Sequence, residues 1–201
     1  MMRSICTGCL AVLTAGVILA ADPPSVRIDA PKEWQGETIK VPPGFAPDME
    51  LTGVEVIRFA PGMFKADSDS FFSYCLVFVL PEQELLDEET LQRELLVYYR
   101  GLASAVAGGK NVEIDVDEFT LELEKVEQED GDEVPSEWTG TLEWVEPFVT
   151  TEAQTLRFDI QTGMLEGGEG MYVTMCASPA DRDADIWKEL HSVRETVKFG
   201  E

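Results

Sequence analysis

The sequence predicts an α+β fold, an antiparallel sheet of about six strands covered by two amphipathic helices. Three observations carry this reading. Phe71–Leu80 is an aromatic and β-branched run closed by Pro81. Residues 87–109 hold one apolar stripe at helical spacing between a capping aspartate and a glycine pair. Between 112 and 177, four alternating segments follow one another across short turns, and a second helical stripe ends the chain. Consecutive short-linked strands form a meander, and amphipathic helices supply its cover.

Residues 1–21 read as a signal peptide. Arg3 and the terminal amine precede an uncharged stretch from Ser4 to Ala21 with an apolar core at Leu10–Leu19. Small residues at Ala20 and Ala21 then meet Asp22 and Pro23-Pro24, which matches the grammar of a cleaved leader. The alternative is an uncleaved anchor, against which Gly8, Gly16 and the early Cys6 and Cys9 argue. Both cysteines lie ahead of the apolar core, so a lipoprotein leader is not expected. Cleavage after Ala20 or Ala21 would leave an exported chain, periplasmic or extracellular, with no further segment apolar enough to span a bilayer.

Residues 22–50 are rich in Pro, Gly and charge, and read as an extended arm with a short strand at 37–41. A single α+β domain is expected over 51–201. Its first strand is Leu51–Phe59, stopped by Pro61-Gly62. The second, Phe71–Leu80, has apolar residues at both parities, so it should be central and covered on both faces. Asp87 then caps a helix carrying Leu91, Leu95, Tyr98, Leu102 and Ala105, with Gly108-Gly109 as its stop. Residues 112–126 alternate with a slip of phase, for which a bulge near Asp117-Glu118 is the simplest repair. Gln128–Pro135 reads as an acidic turn. Trp138, Leu142 and Trp144 mark a strand, and Leu156, Phe158, Ile160 and Met164 a half-exposed one. Glu166–Gly170 is a hairpin loop, and Met171, Val173 and Met175 begin the last strand. The final helix starts at Ser178 or near Asp183, with Ile186, Leu190, Val193 and Val197 on one face.

The element order is similar to that of the Mog1/PsbP-like α/β/α sandwiches. The resemblance implies layering only, and no site residue comes with it. The wording of residues 43–80 also resembles uncharacterised exported proteins of environmental bacteria, a resemblance that implies no activity.

Charge narrows the partners. The chain has 39 acidic and 15 basic residues. Loss of residues 1–21 removes one basic residue and no acidic one, so 14 basic residues face 39 acidic ones, a net charge of −25. A nucleic acid would be repelled by such a chain rather than release counterions to it. A cationic or divalent-bridged partner, or a solubilising coat of carboxylates, fits the acidity better.

The candidate chemistry is sparse. The sole histidine, His191, follows Trp187 by one helical turn without a G-x-S-x-G motif, so a boundary position is expected rather than a triad. Cys75 and Cys176 fall in strand-like segments, where an oxidising compartment would permit a disulfide between them; two buried thiols are the alternative. Glu113, Asp115 and Asp117 share one parity and could offer three carboxylates to Ca²⁺, but a solvated strand face is the favoured reading and no cofactor is expected. Asp67 and Asp69 lack the glycine and glutamate of a calcium loop. Trp138 and Trp144 flank Gly140 on one face: a ligand platform if that face is open, core if a helix covers it.

The reading of function is a non-enzymatic binding or accessory module of unassigned activity. A carboxylate-based hydrolase acting on glycans and a structural cell-envelope protein are the alternatives.

Overall fold

A computed structural model describes residues 26–127 and 135–200. The expected leader, with Cys6 and Cys9, lies outside the described residues, as does most of the acidic turn at 128–135.

The elements run β1 (Val26–Ile28), β2 (Gln35–Val41), β3 (Gly53–Phe59), β4 (Tyr74–Leu80), α1 (Glu88–Lys110), a 3-10 turn (Val116–Glu118), β5 (Thr120–Lys125), β6 (Ser136–Val145), β7 (Ala153–Met164), β8 (Met171–Ser178), α2 (Asp185–Arg194) and β9 (Val197–Phe199). The main sheet has seven antiparallel strands in the order β2-β3-β4-β8-β7-β6-β5, and β1 pairs with β9 in a separate ribbon. The α+β class therefore holds. Two meanders, β2–β4 and β5–β8, join where β4 meets β8.

β4 sits near the middle, and all seven of its residues are buried. Its even-numbered side chains join α1 in the larger core, with Leu142, Leu156, Phe158 and Met175 from β6–β8. Its odd-numbered side chains join α2 and the β1–β9 ribbon on the opposite face, with Trp187, Leu190 and Trp34. A strand without alternation is what two covered faces require. β4 begins three residues later than the apolar run because Phe72 has φ +46° and belongs to the preceding turn.

α1 starts as expected, with Asp87 accepting from the Thr90 amide at 2.9 Å. Its end differs. The helix runs through Gly108 and Gly109, and Asn111 closes it in the left-handed region at φ +57°; asparagine tolerates that conformation. The buried stripe also turns around the helix. Leu91, Leu95 and Tyr98 are followed by Tyr99, Ala103 and Ala107, while Ala105 is exposed. The last turns of α1 lie against β5 and the 3-10 turn, which moves the contact face.

The arm is tied into the domain. β2 forms one edge of the main sheet, in register with β3 from Gln35 opposite Phe59 to Val41 opposite Gly53. Residues 42–51 then cross α1, where a Cβ on Gly101 would overlap the Phe45 carbonyl. The buried Glu94 carboxylate accepts from the amides of Glu50 (2.8 Å) and Leu51 (3.3 Å), and Arg93 holds its other oxygen at 2.9 Å.

The second helix starts at Asp185, close to the later of the two expected starts, and Val197 belongs to β9 rather than to the helix.

Candidate functional site

β3 carries Glu55, Ile57 and Phe59 on one parity, and its register places them on the α1 face of the sheet, opposite Ile39, Glu37 and Gln35 of β2. A carboxylate in an inward position is costly unless hydrogen-bonded or neutralised. Glu55 has 0% of its surface exposed. Its Oε1 accepts from the Tyr98 hydroxyl at 3.1 Å, and its Oε2 has no partner. Burial pushes its pKa up from 4.5 to about 7, the Tyr98 hydrogen bond opposing the rise and nearby Glu37 adding to it.

Glu55 lines a cavity of about 280 Å³ between the β2–β3 edge and α1. Tyr98 and Leu102 of α1 form one wall, and Phe45 of the arm packs edge-on to Tyr98 with ring centroids 5.1 Å apart. The other walls are aromatic. Phe59 meets Phe64 at 6.0 Å, Phe64 meets Phe148 at 5.7 Å, and Phe148 meets Phe72 at 5.6 Å. Phe64 is 52% exposed, an unusual state for a ring in an aromatic cluster, and marks the mouth. Behind the cavity, the buried hydroxyls of Tyr74 and Tyr99 bond to each other, and burial pushes both phenols far up. Seven aromatic side chains line this space, with two carboxylates and no lysine or arginine.

Local features hold these walls. The turn after β6 is built on Glu146, fully buried, whose carboxylate accepts from the amides of Phe148, Val149 (3.0 Å) and Thr150 (2.7 Å) and from the Thr150 hydroxyl (3.0 Å). That turn presents Phe148. Phe72 is held by its amide donating to the Met63 carbonyl at 2.9 Å.

Two roomier hollows flank α2, of about 660 Å³ beside Pro61–Phe71 and about 740 Å³ beside Asp29–Trp34. Both open broadly to solvent, and neither is lined by a buried side-chain atom lacking a partner.

The residues singled out in the sequence lie elsewhere. Trp138 and Trp144 do share a face, but α1 covers it. They are 7% and 3% exposed, with their indole nitrogens donating to Thr162 and Gln154, so they form no open platform. Gly140 admits Leu123 and Phe158 instead of a ligand.

Glu113, Asp115 and Asp117 are not on a strand. The 3-10 turn replaces the expected bulge, and Asp115 caps it by accepting from the Asp117 amide at 3.2 Å. No group of three or more His, Cys, Asp or Glu among the described residues is arranged to hold a metal ion. Asp67 and Asp69 sit in the turns before β4.

His191 lies at the sheet–helix boundary, its Nε2 2.7 Å from Asp159 on β7. Arg182 takes the other Asp159 oxygen and stacks over Trp187 at 4.6 Å. This cluster clamps α2 onto the sheet rather than presenting an imidazole to a nucleophile.

Cys75 and Cys176 are direct cross-strand partners of β4 and β8, both buried and both free thiols. Such partners lie about 4.5–5.5 Å apart at Cα, within disulfide range. A hydrogen bond to Cys176, reinforced by burial, pushes the Cys75 thiol well up, so Cys75 is a poor nucleophile in the folded protein. A bridge is therefore expected only if it forms before the sheet closes. Thiol titration of denatured, unreduced protein lacking residues 1–21, purified from an oxidising compartment, should find no free sulfhydryl. Two would show that the pair is packing alone.

The candidate site residue that the sequence analysis does not single out is Glu55. Its signal is legible: a glutamate sharing the parity of Ile57 and Phe59, whereas the strand's other charged residue, Arg58, has the opposite parity.

Fold and cavity together define an α+β sandwich with an aromatic pocket over a buried carboxylate. Scans against protein-family models and curated proteins found no match. Among solved structures, the chain resembles LpqN, involved in cell envelope biogenesis of Mycobacterium tuberculosis, at 10% identity and a TM-score of 0.35, over 92% of this chain and 88% of that one. It also resembles the PsbP of Synechocystis sp. PCC 6803 at 11% identity and a TM-score of 0.37, over 93% and 98%.

Proposed function

We propose that this protein is a non-enzymatic, exported binding module that takes one small, largely apolar ligand in the cavity between α1 and the β2–β3 edge. The observation that carries the reading is a space of about 280 Å³ walled by aromatic rings, with one buried carboxylate oxygen left without a donor. Ligand pockets combine apolar walls with a few placed polar groups in this way. Export rests on the leader-like residues 1–21.

Glu37 and Glu55 both line the cavity, the pair that a carboxylate-based hydrolase would need. One feature favours binding instead: sugar hydroxyls require hydrogen-bond partners that rings do not supply.

The test is titration with the neutral fluorophore N-phenyl-1-naphthylamine. Saturable one-to-one binding is expected, and Leu102→Trp, which fills the cavity from α1, should weaken it at least about tenfold, a change worth about 1.4 kcal/mol, with the circular dichroism spectrum retained. Absence of saturable binding, or binding indifferent to Leu102→Trp, would sink the proposal.

A further inference from the structure

Resting on the cavity reading above, we infer that the ligand is an organic cation: an apolar body carrying a protonated amine that meets Glu55 Oε2 among the aromatic rings.

The wall chemistry selects the charge. Aromatic faces carry negative potential and attract ammonium groups, most strongly where water is excluded. The cavity presents the rings of Phe45, Tyr98 and Phe59 beside Glu55 and Glu37, and no basic side chain lines it. An anionic ligand would meet two carboxylates without a counter-charge. A neutral ligand would fill the apolar volume but leave the carboxylate with only the Tyr98 hydroxyl. A protonated amine supplies the missing donor to Oε2, and hydrogen bonds between charged groups are the strong ones. The net charge of −25 on the chain without its leader adds a long-range field that draws cations in. The volume, equal to about nine molecules of liquid water, suits a body of arylalkylamine size.

The same groups set a pH dependence. Glu55 faces Tyr98 from α1, Tyr74 from β4 and Glu37 from β2, with Tyr99 behind. The three phenols are pushed far up by burial and stay neutral through the neutral range. Glu55, at about 7 without ligand, is the group that changes charge. It attracts an ammonium when ionised and not when protonated.

The experiment is displacement of N-phenyl-1-naphthylamine by 3-phenylpropan-1-amine and by its neutral counterpart, 3-phenylpropan-1-ol. At pH 8.5 the amine should displace the probe at a concentration at least about tenfold lower than the alcohol, the factor expected of a buried charge-assisted contact. In the same wild-type protein this preference should shrink to less than about threefold at pH 5, where Glu55 is protonated and neutral while the amine keeps its charge. Glu55→Gln should remove the preference at pH 8.5, and Glu37→Gln, on the exposed edge strand, should reduce it in part. Equal displacement by amine and alcohol at pH 8.5, with the probe bound, would overturn the cation inference and leave the pocket reading standing. A wild-type protein that does not bind the probe at all would overturn both.

Discussion

Glu55→Gln is expected to make the protein more stable at pH 8 by about 3 kcal/mol, and to change little at pH 4.5. The folded protein holds the Glu55 proton up to about pH 7, whereas the ordinary value is 4.5; that gap corresponds to about 3 kcal/mol. The sign follows from proton binding. Below about pH 4.5 both folded and unfolded states are protonated, and Glu55 imposes no penalty. Between about 4.5 and 7 the unfolded state releases the proton while the folded state retains it, so stability falls as pH rises. Above about 7 both are ionised and the penalty is complete. Glutamine keeps an acceptor for the Tyr98 hydroxyl and carries no charge, so the variant lacks this component. Asp29, Asp87 and Asp185, whose carboxyls are held below their usual range by Lys198, Thr90 and Lys188, are common to both proteins and cancel in the difference. Urea unfolding at pH 4.5, 6, 7 and 8 reads the difference directly. A difference independent of pH would mean that Glu55 ionises alike in both states, against the buried position described above. A residue that costs stability where it sits is what a binding group often is.

Glu146→Ala is expected to destabilise the protein by about 3 kcal/mol and to loosen the cavity. The Glu146 carboxylate is the common acceptor for three successive amides and one hydroxyl in the turn that carries Phe148. Removing a buried acceptor costs about 1–3 kcal/mol for each donor left unpaired. Partial rehydration of an opened turn keeps the total near the upper end of one such loss rather than three. Phe148 touches both Phe64 and Phe72, so a released turn should also weaken fluorophore binding. Glu146→Gln, which retains one acceptor oxygen, should lose roughly half as much stability. An alanine variant within about 0.5 kcal/mol of wild type, the range of ordinary surface changes, would show that the turn is held by other contacts.

Most of the fold was legible because periodicity and caps are local signals. Asp87 accepts from an amide three residues on, and any chain with that spacing would do so. The apolar run that Pro81 closes, with side chains of both parities, announced a doubly covered strand before its neighbours were known. The misreadings arise where two local signals compete. Gly108-Gly109 resembles a helix stop, yet Asn111 in the left-handed region ends α1, since exposed glycines cost a helix only about 1 kcal/mol each. The alternating residues 112–116 resemble a strand, yet their alternation precedes a 3-10 turn, and only Thr120–Lys125 pairs with β6.

The site divides differently. From its residues alone the chain determined the α+β class, the meander of β5–β8 and the parity shared by Trp138 and Trp144. It did not determine which element covers each sheet face. Whether two tryptophans on one face become a platform or a core depends on where α1 docks, which is decided by side chains far apart in sequence. The pairing of Cys75 with Cys176 depends likewise on β4 meeting β8 across about a hundred residues. The cavity is the most non-local feature of all, since its walls come from the arm, β2, β3, the 61–72 turns, α1 and the turn at Glu146. Periodicity reports how one segment meets an interface, and burial without a partner, as at Glu55 Oε2, appears only when all of those segments close around the same point.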